Sequence, residues 1–258
     1  MTKKPTDDDN DDSLDFLIPK LRALRLPGMA RFVASLLAQA SADNLTDLAI
    51  LHRLCDEERA SRLKSAVDRR VKDARFPEVS TVDGFDFDFC PIRKKLRARY
   101  LALHDLTFLD TGVNPLFIGI PGAGKTFLAR ALAFRACQAN RRVVFTSATR
   151  MLNDLAAAEI HGQLERVLRR YCRADLLVID DFAVLAMDPS QANHAFQVIS
   201  ERYEYRRSTA ITTNRLFKDW PKVFPDALNA QVIAERFTER AERFIMDGKG
   251  YRPNKATT

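Results

Sequence analysis

Gly119-Ile120-Pro121-Gly122-Ala123-Gly124-Lys125-Thr126 reads G-x-x-x-x-G-K-T, with the apolar run Leu116-Phe117-Ile118 before it and Phe127-Leu128-Ala129-Arg130-Ala131-Leu132 after it. That order is strand, loop, helix. Glycines let backbone N–H groups curl round a polyphosphate, the N-terminus of the following helix adds partial positive charge, and Lys125 reaches the outer phosphates. Thr126 is placed to ligand Mg²⁺, and Phe127 opens the helix beside it. The stretch from Gly119 to Phe127 therefore reads as a nucleoside-triphosphate site. ATP and Mg²⁺ are the expected cofactors, since no N-K-x-D motif for guanine occurs.

Downstream of the loop, the pattern alternates. Val143 to Ser147 reads as a strand, 149–159 and 161–172 as helices, Leu176 to Asp181 as a second buried strand, 190–206 as a helix, and Thr209 to Asn214 as a further strand. Continuous apolar strands separated by helices predict a parallel sheet covered on both faces, a three-layer α/β domain. The second strand ends in Asp180-Asp181. Asp180 is positioned to hold Mg²⁺ and Asp181 to polarise an attacking water. Asn214 ends the next strand at the carboxyl edge, where open α/β sheets bind their ligands, and its amide can orient that water or cap a short helix from Leu216.

Upstream, three helices are expected. Ser13 caps the first, with Leu14, Leu17, Ile18, Leu21 and Leu24 on one face. Pro27-Gly28 breaks it, and Met29, Phe32, Val33, Leu36 and Leu37 mark the second. The third runs from after Asn44 to about Arg75, with Leu48, Leu51 and Leu54 and then Leu63, Val67, Val71 and Ala74. A loop from Val79 to Asp88, anchored by Phe85 and Phe87, and a helix from Pro91 to Leu103 lead to the first strand. The expected division is a disordered acidic tail over 1–12, a helical N-terminal domain over 13–78, and an ATPase domain over 79–258.

The 258 residues are 46% apolar and 29% charged, with formal charge +7, values of a globular chain with a basic body. A basic body points to a polyanionic partner. Two stripes carry the charge: Arg59, Arg62, Lys64, Arg69, Arg70, Lys72 and Arg75 on the third helix, and Arg93, Lys94, Lys95, Arg97 and Arg99 with no acid among them. Both suit phosphate contacts, and a solvated helix face carries the same pattern. Arg166, Arg169 and Arg170 are a third candidate. Cys55, Cys90, Cys137 and Cys172 are widely separated and read as reduced core cysteines. With no apolar leader and no run of membrane length, the expected location is the bacterial cytoplasm, with no membrane partner.

The phosphate loop, Val178-Ile179-Asp180-Asp181, Thr212-Thr213-Asn214, Phe217-Lys218-Asp219-Trp220, Glu235-Arg236-Phe237 and Gly250-Tyr251-Arg252 follow one another in an order that resembles the IstB-like transposition helper ATPases. The resemblance extends over roughly 14 to 253. It implies an AAA+ ATPase domain without a full lid, in a group related to the DnaC helicase loaders. It implies that Asn214 is sensor 1, that Arg236 is an arginine finger completing a neighbouring subunit's site, and that Arg252 is sensor 2. Duplex DNA, a cognate transposase and further copies of the chain are the implied partners, with ATP hydrolysis that is slow and stimulated by DNA or oligomerisation. A DnaC-like loader whose N-terminal helices grip a replicative helicase is the alternative. A P-loop small-molecule kinase and a nucleotide-gated binding module that scarcely turns over are the readings from other classes. Three positions depart from the family pattern: Asp181 stands where most AAA+ proteins have Glu, Ala183 replaces a frequent Gly, and the stretch after Arg236 is too short for the usual helical lid.

Overall fold

A computed structural model describes residues 13–247, so the acidic stretch 1–12 and Arg252 lie outside the described residues. The chain divides into two compact units between Asp68 and Arg69, inside its longest helix. In the first unit, α1 (Leu14–Ala23) follows the extended Ser13, and α2 (Pro27–Asp43) starts on a proline at N1 and stops at Asn44 in the left-handed region. α3 (Asp47–Ala74) crosses into the second unit.

Ala30, Val33, Leu36 and Ala40 recur at helical spacing and form the buried face of α2. The apolar faces expected on α1 and α3 are not covered in the same way. No residue of α1 is buried, and Leu24, Leu48, Leu51 and Leu63 are all more than half exposed. What α3 buries in the first unit is polar, Glu58 and Ser61. Glu58 Oε2 accepts the N–H groups of Gly28 (2.7 Å) and Met29 (3.2 Å), the orphan donors at the start of α2, while Oε1 accepts from Arg62 Nε at 2.7 Å. Burial pushes this carboxyl's pKa up, but the bonds from Arg62, Met29 and Gly28 outweigh it and hold the pKa below the ordinary value. The resulting stabilisation exists above the ordinary carboxyl pKa and fades as acid takes the pH down through the lowered one.

The second unit holds α4 (Pro91–Ala102), α5 (Thr107–Thr111), β1 (Asn114–Gly119), α6 (Lys125–Gln138), β2 (Val143–Ser147), α7 (Ala148–Ile160), α8 (Leu164–Cys172) and β3 (Leu176–Asp180). It continues with α9 (Pro189–Glu204), β4 (Ser208–Thr213), a 3-10 turn (Phe217–Lys222), α10 (Ala227–Glu239) and β5 (Ala241–Met246). The strands lie in the order β2-β3-β4-β1-β5 and every pairing is parallel. Alternate residues feed two cores, as a sheet covered on both faces requires. Leu116, Val144, Leu177, Ile179 and Ile211 pack with α7 to α10, whereas Phe117, Val143, Phe145, Val178 and Phe244 pack with α4 and α6. β5, absent from the sequence reading, pairs with β1 from Asn114↔Ala241 to Gly119↔Met246 and closes the edge. Because all strands run the same way, Gly119, Asp180 and Thr213 end at one edge of the sheet. Cys137 and Cys172 are buried as expected, but Cys55 is exposed and Cys90 only half-buried, so those two are not core cysteines.

One buried cation holds the opposite edge of the sheet. Arg202 is 1% exposed and donates to the carbonyls of Tyr171 (2.8 Å), Cys172 (3.2 Å), Ala174 (2.9 Å) and Ser208 (2.5 Å) and to Thr209 Oγ1 (2.9 Å). It thereby ties the end of α8 to the start of β4. Burial pulls its pKa down to about 9. Arg202→Met removes every one of these donors and strands buried carbonyls, so the free energy of unfolding should fall by about 3 kcal/mol or more. A urea midpoint within experimental error of the unaltered protein's would disprove that role.

Candidate nucleotide-binding site

β1 ends at Gly119 and α6 begins at Lys125, so the turn over 120–124 between sheet and helix is held at both ends. A Cβ at Gly119 would collide with the Met246 carbonyl on β5, and one at Gly124, where φ is 98°, would lie 2.6 Å from the Phe85 ring. Only glycine lets the backbone pass so close. The first-turn N–H groups of Lys125 and Thr126 have no intrahelical carbonyl to reach, and they face the loop as donors for an anion.

A cavity of about 560 Å³ opens over this turn, lined by Pro121, Gly122, Gly124, Lys125, Thr126 and Phe127 from the loop side and by Asp180 and Asp181 from β3. Gly84, Phe85 and Asp86 line it from the segment before α4, joined by Glu78 and Arg130. Lys125 is only 8% exposed, and its Nζ donates to the Ile120 carbonyl at 2.9 Å. Burial lowers its pKa, against the pull of Asp181 and Asp180, so the ammonium is short of counter-charge. Thr126 Oγ1 donates to Asp180 Oδ1 at 2.8 Å. Two hard oxygen donors thus sit side by side, the donor set that Mg²⁺ takes from a phosphate loop and a second acidic strand. A desolvated ammonium, orphan amides and this oxygen pair together fit a Mg²⁺-bound nucleoside triphosphate.

Thr212, to which the sequence reading gave no role of its own, is fully buried on β4 and organises both acids. Its Oγ1 donates to Asp180 Oδ1 at 2.5 Å and accepts the Asp181 N–H at 3.0 Å. Asp181 sits at φ 54°, a left-handed turn that Asp tolerates better than most residues, and this turn lets two consecutive acids line one cavity. Burial and then the Asp180 charge push its pKa up, with Lys125 opposing. The sequence marks Thr212 only as part of the motif Thr212-Thr213-Asn214; a buried hydroxyl beside two carboxylates becomes visible only once β3 and β4 are paired.

The remaining candidates, apart from Arg93, do not line this cavity. Ile120 is 40% exposed and Ala123 buried, and neither lines the cavity. Asn214 is exposed just past the carboxyl end of β4 and is also absent from the lining. Arg236, on α10, stacks over Phe196 and Tyr203 and donates to Ser200 Oγ, away from the cavity of its own Lys125. Arg93 is 4% exposed, lies over the rings of Phe85 and Phe89, and donates to the Ala123 carbonyl at 2.9 Å. It is a wall of the phosphate loop, inaccessible to a DNA backbone. Lys94 and Lys95 are exposed, but Asp88 lies 3.9 Å from Lys94 and 3.8 Å from Arg97, and Glu242 pairs with Arg99. Asp88, just upstream, and Glu242, distant in sequence, therefore neutralise part of that stripe. Arg59 pairs with Asp56, and Arg62 serves Glu58 and the Arg25 carbonyl. Lys64 and Arg69 are exposed, as is Lys72, while Arg70 donates to Asn140. No helix among the described residues is long and apolar enough to cross a membrane.

Known proteins with the same pattern are numerous. The chain is 32% identical over 229 residues to an ATP-binding protein of insertion sequence IS5376 from Geobacillus stearothermophilus, covering 89% of this chain and 90% of that one. It is 33% identical over 232 residues to an insertion sequence IS21 ATP-binding protein from Pseudomonas aeruginosa, covering 90% and 86%. Among solved structures, the DnaC helicase loader superposes with a TM-score of 0.59 at 19% identity over 65% of this chain and 96% of that one. AMPPCP-bound DnaA from Aquifex aeolicus gives 0.53 at 20% over 64% and 49%. Those two likenesses establish the AAA+ P-loop fold. Residues 19–258 match the sequence-family model described as IstB-like ATP binding protein, and with the loop, the paired acids and the parallel sheet in place the chain belongs to that family.

Proposed function

We propose that this protein is an ATP-hydrolysing, DNA-binding helper of a transposase that assembles with copies of itself and prepares target DNA. The observation that carries the ATPase part is the hydrogen-bonded set Thr126–Asp180–Thr212 beside the desolvated Lys125. The relatives named for insertion sequences support the transposition context.

Lys125 neutralises the outer phosphates, while the loop amides hold the rest of the chain of phosphates. Thr126 and Asp180 would hold Mg²⁺, which would offset the charge that develops on the phosphate oxygens. Thr212 keeps the Asp180 carboxylate aimed at Thr126 and fixes the turn at Asp181. Asp181 then accepts a proton from the attacking water, with Asn214 as a second orienting group. Asp is one methylene shorter than Glu, so the base reaches the water less well and turnover is slow. Arg236 acts on a neighbour's nucleotide and Arg252 on its own. Arg59, Arg62 and Lys64 of the helical unit, Arg69, Arg70 and Lys72 at the end of α3, and Lys94 and Lys95 supply phosphate contacts to duplex DNA. The proposed functional division, helical over 13–78 and ATPase over 79–258, sets its boundary beyond that of the compact units, which falls between Asp68 and Arg69.

Asp181→Asn separates binding from chemistry. The Mg²⁺ ligands and Lys125 remain, so ATP affinity should stay within a few-fold while the single-turnover rate drops by about 10²- to 10⁴-fold. Equal rates for both proteins would remove Asp181 from the reaction. The proposal as a whole is tested by steady-state phosphate release with and without duplex DNA. DNA should accelerate it; a rate indifferent to DNA, with no DNA bound, would sink the helper reading, and phosphate appearing on a small-molecule acceptor would replace it with a kinase.

A further inference from the structure

A second concave site lies at the amino edge of the sheet, opposite the edge that carries Lys125 and Asp180. It has a volume of about 570 Å³ and is built from three parts of the second unit: Arg70, Lys72 and Arg75 at the end of α3, Arg142 ahead of β2, and Arg169, Arg170 and Arg173 around the end of α8. Asp73 is the only carboxylate in its lining. Three of the cations are matched by acids: Arg142 by Asp175 at 3.3 Å, Arg170 by Asp154 at 3.9 Å, and Arg169 by Glu165. Arg70 reaches only the neutral Asn140. Lys72, Arg75 and Arg173 have no carboxylate within 4.0 Å among the described residues. These charges come together only in the fold, since Arg75, Arg142 and Arg173 are far apart in the chain.

Like charges gathered in a concavity repel one another, and the low-dielectric walls focus their field outward, so the groove favours a polyanion strongly. The geometry points to this groove as the seat of a duplex-DNA phosphodiester backbone on the ATPase unit, an inference that rests on the DNA-binding reading above. Apart from the cations and Asp73, the lining is Val143, Val144 and Ala174. No aromatic ring is present to stack an unpaired base, which single-strand sites rely on. No Asn or Gln lines it to read an adenine edge, and a cluster of cations suits the phosphates, whose contacts carry no sequence information. DNA held here leaves the nucleotide cavity at the other edge open.

The test uses full-length protein carrying Lys72→Gln, Arg75→Gln and Arg173→Gln, three cations whose loss breaks no ion pair and, unlike loss of Arg70, no hydrogen bond to Asn140. Affinity for a random-sequence duplex is measured by anisotropy across a salt series with a non-hydrolysable ATP analogue present. Three lost phosphate contacts should reduce the log–log salt slope by about 2.7, at about 0.9 per contact, with analogue affinity unchanged. The charge-keeping variant Lys72→Arg, Arg75→Lys, Arg173→Lys should retain the slope. A variant that binds the analogue normally and keeps the full slope overturns the groove while leaving DNA binding in place. Loss confined to single-stranded DNA overturns the duplex assignment. If the unaltered protein binds no duplex, the functional reading fails first. Should the triple variant unfold, Arg173→Glu alone, on the groove rim, decides: at least a tenfold weaker Kd supports the site, and no change overturns it.

Discussion

Lys125→Ala protein is expected to bind ATP about 30- to 4,000-fold more weakly than the unaltered protein, the equivalent of about 2–5 kcal/mol for deleting one partner of a desolvated charge pair. The backbone amides of the loop remain, but partial charges on N–H groups do not replace a full ammonium against two phosphates. The same substitution should leave the protein folded and at least as resistant to heat when no nucleotide is present. Lys125 is buried with a pKa below its ordinary value, so its charged form is less favourable folded than unfolded, and removing it relieves that cost. What should vanish is the rise in melting temperature on adding ATP, since a ligand stabilises only the state it binds. Calorimetric titration and thermal melts read both effects. Tight ATP binding by the variant would refute the site; a large fall in melting temperature without nucleotide would mean that Lys125 is mainly a structural cation.

How much of this was legible in the chain follows from where each signal is stored. The phosphate loop and β3 are local patterns. Loop chemistry, an apolar run and a terminal acid pair are contiguous, and the structure joins them by the bond from Thr126 to Asp180. Thr212 was not legible, because its function depends on the register that places β4 beside β3. Arg93 was misread for the opposite reason. In sequence it opens an acid-free run with Lys94 and Lys95, whereas its spatial neighbours are two phenylalanine rings and the Ala123 carbonyl. β5 escaped because only Phe244 and Met246 on it are buried, too sparse an alternation to stand out beside Glu242 and Arg243. The first helices erred the other way: leucines at regular spacing suggested covered faces, yet the contact that defines α2 and α3 is a carboxylate capping a helix start. Periodicity reports that a helix is amphipathic, and burial is decided by what else is there to meet it.

Arg236→Ala is expected to bind ATP normally and to lose turnover by about 10³- to 10⁵-fold, the range for an arginine that stabilises charge on a transferred phosphoryl group from outside the subunit. The argument for action in trans starts from placement. Arg236 is absent from the cavity that holds its own Lys125, Thr126 and Asp180, yet it is half-buried and pre-oriented, with its guanidinium over two rings and bonded to Ser200. Aromatic faces of this kind fix a guanidinium in orientation without neutralising it. A side chain held that way on α10 loses little entropy when a second copy brings its nucleotide up to it. A bland reading remains available, in which the stacking simply joins α10 to α9; that reading predicts a loss of stability and no special effect on rate. Mixing separates them. Arg236→Ala and Lys125→Ala proteins are each inactive alone, but in a mixed assembly an intact nucleotide site from the first meets an intact arginine from the second. Recovered phosphate release, rising with the proportion of mixed contacts, is the expected result. No recovery at any ratio, with both variants folded and co-assembled, would place Arg236 in the scaffold and leave each subunit to hydrolyse ATP alone.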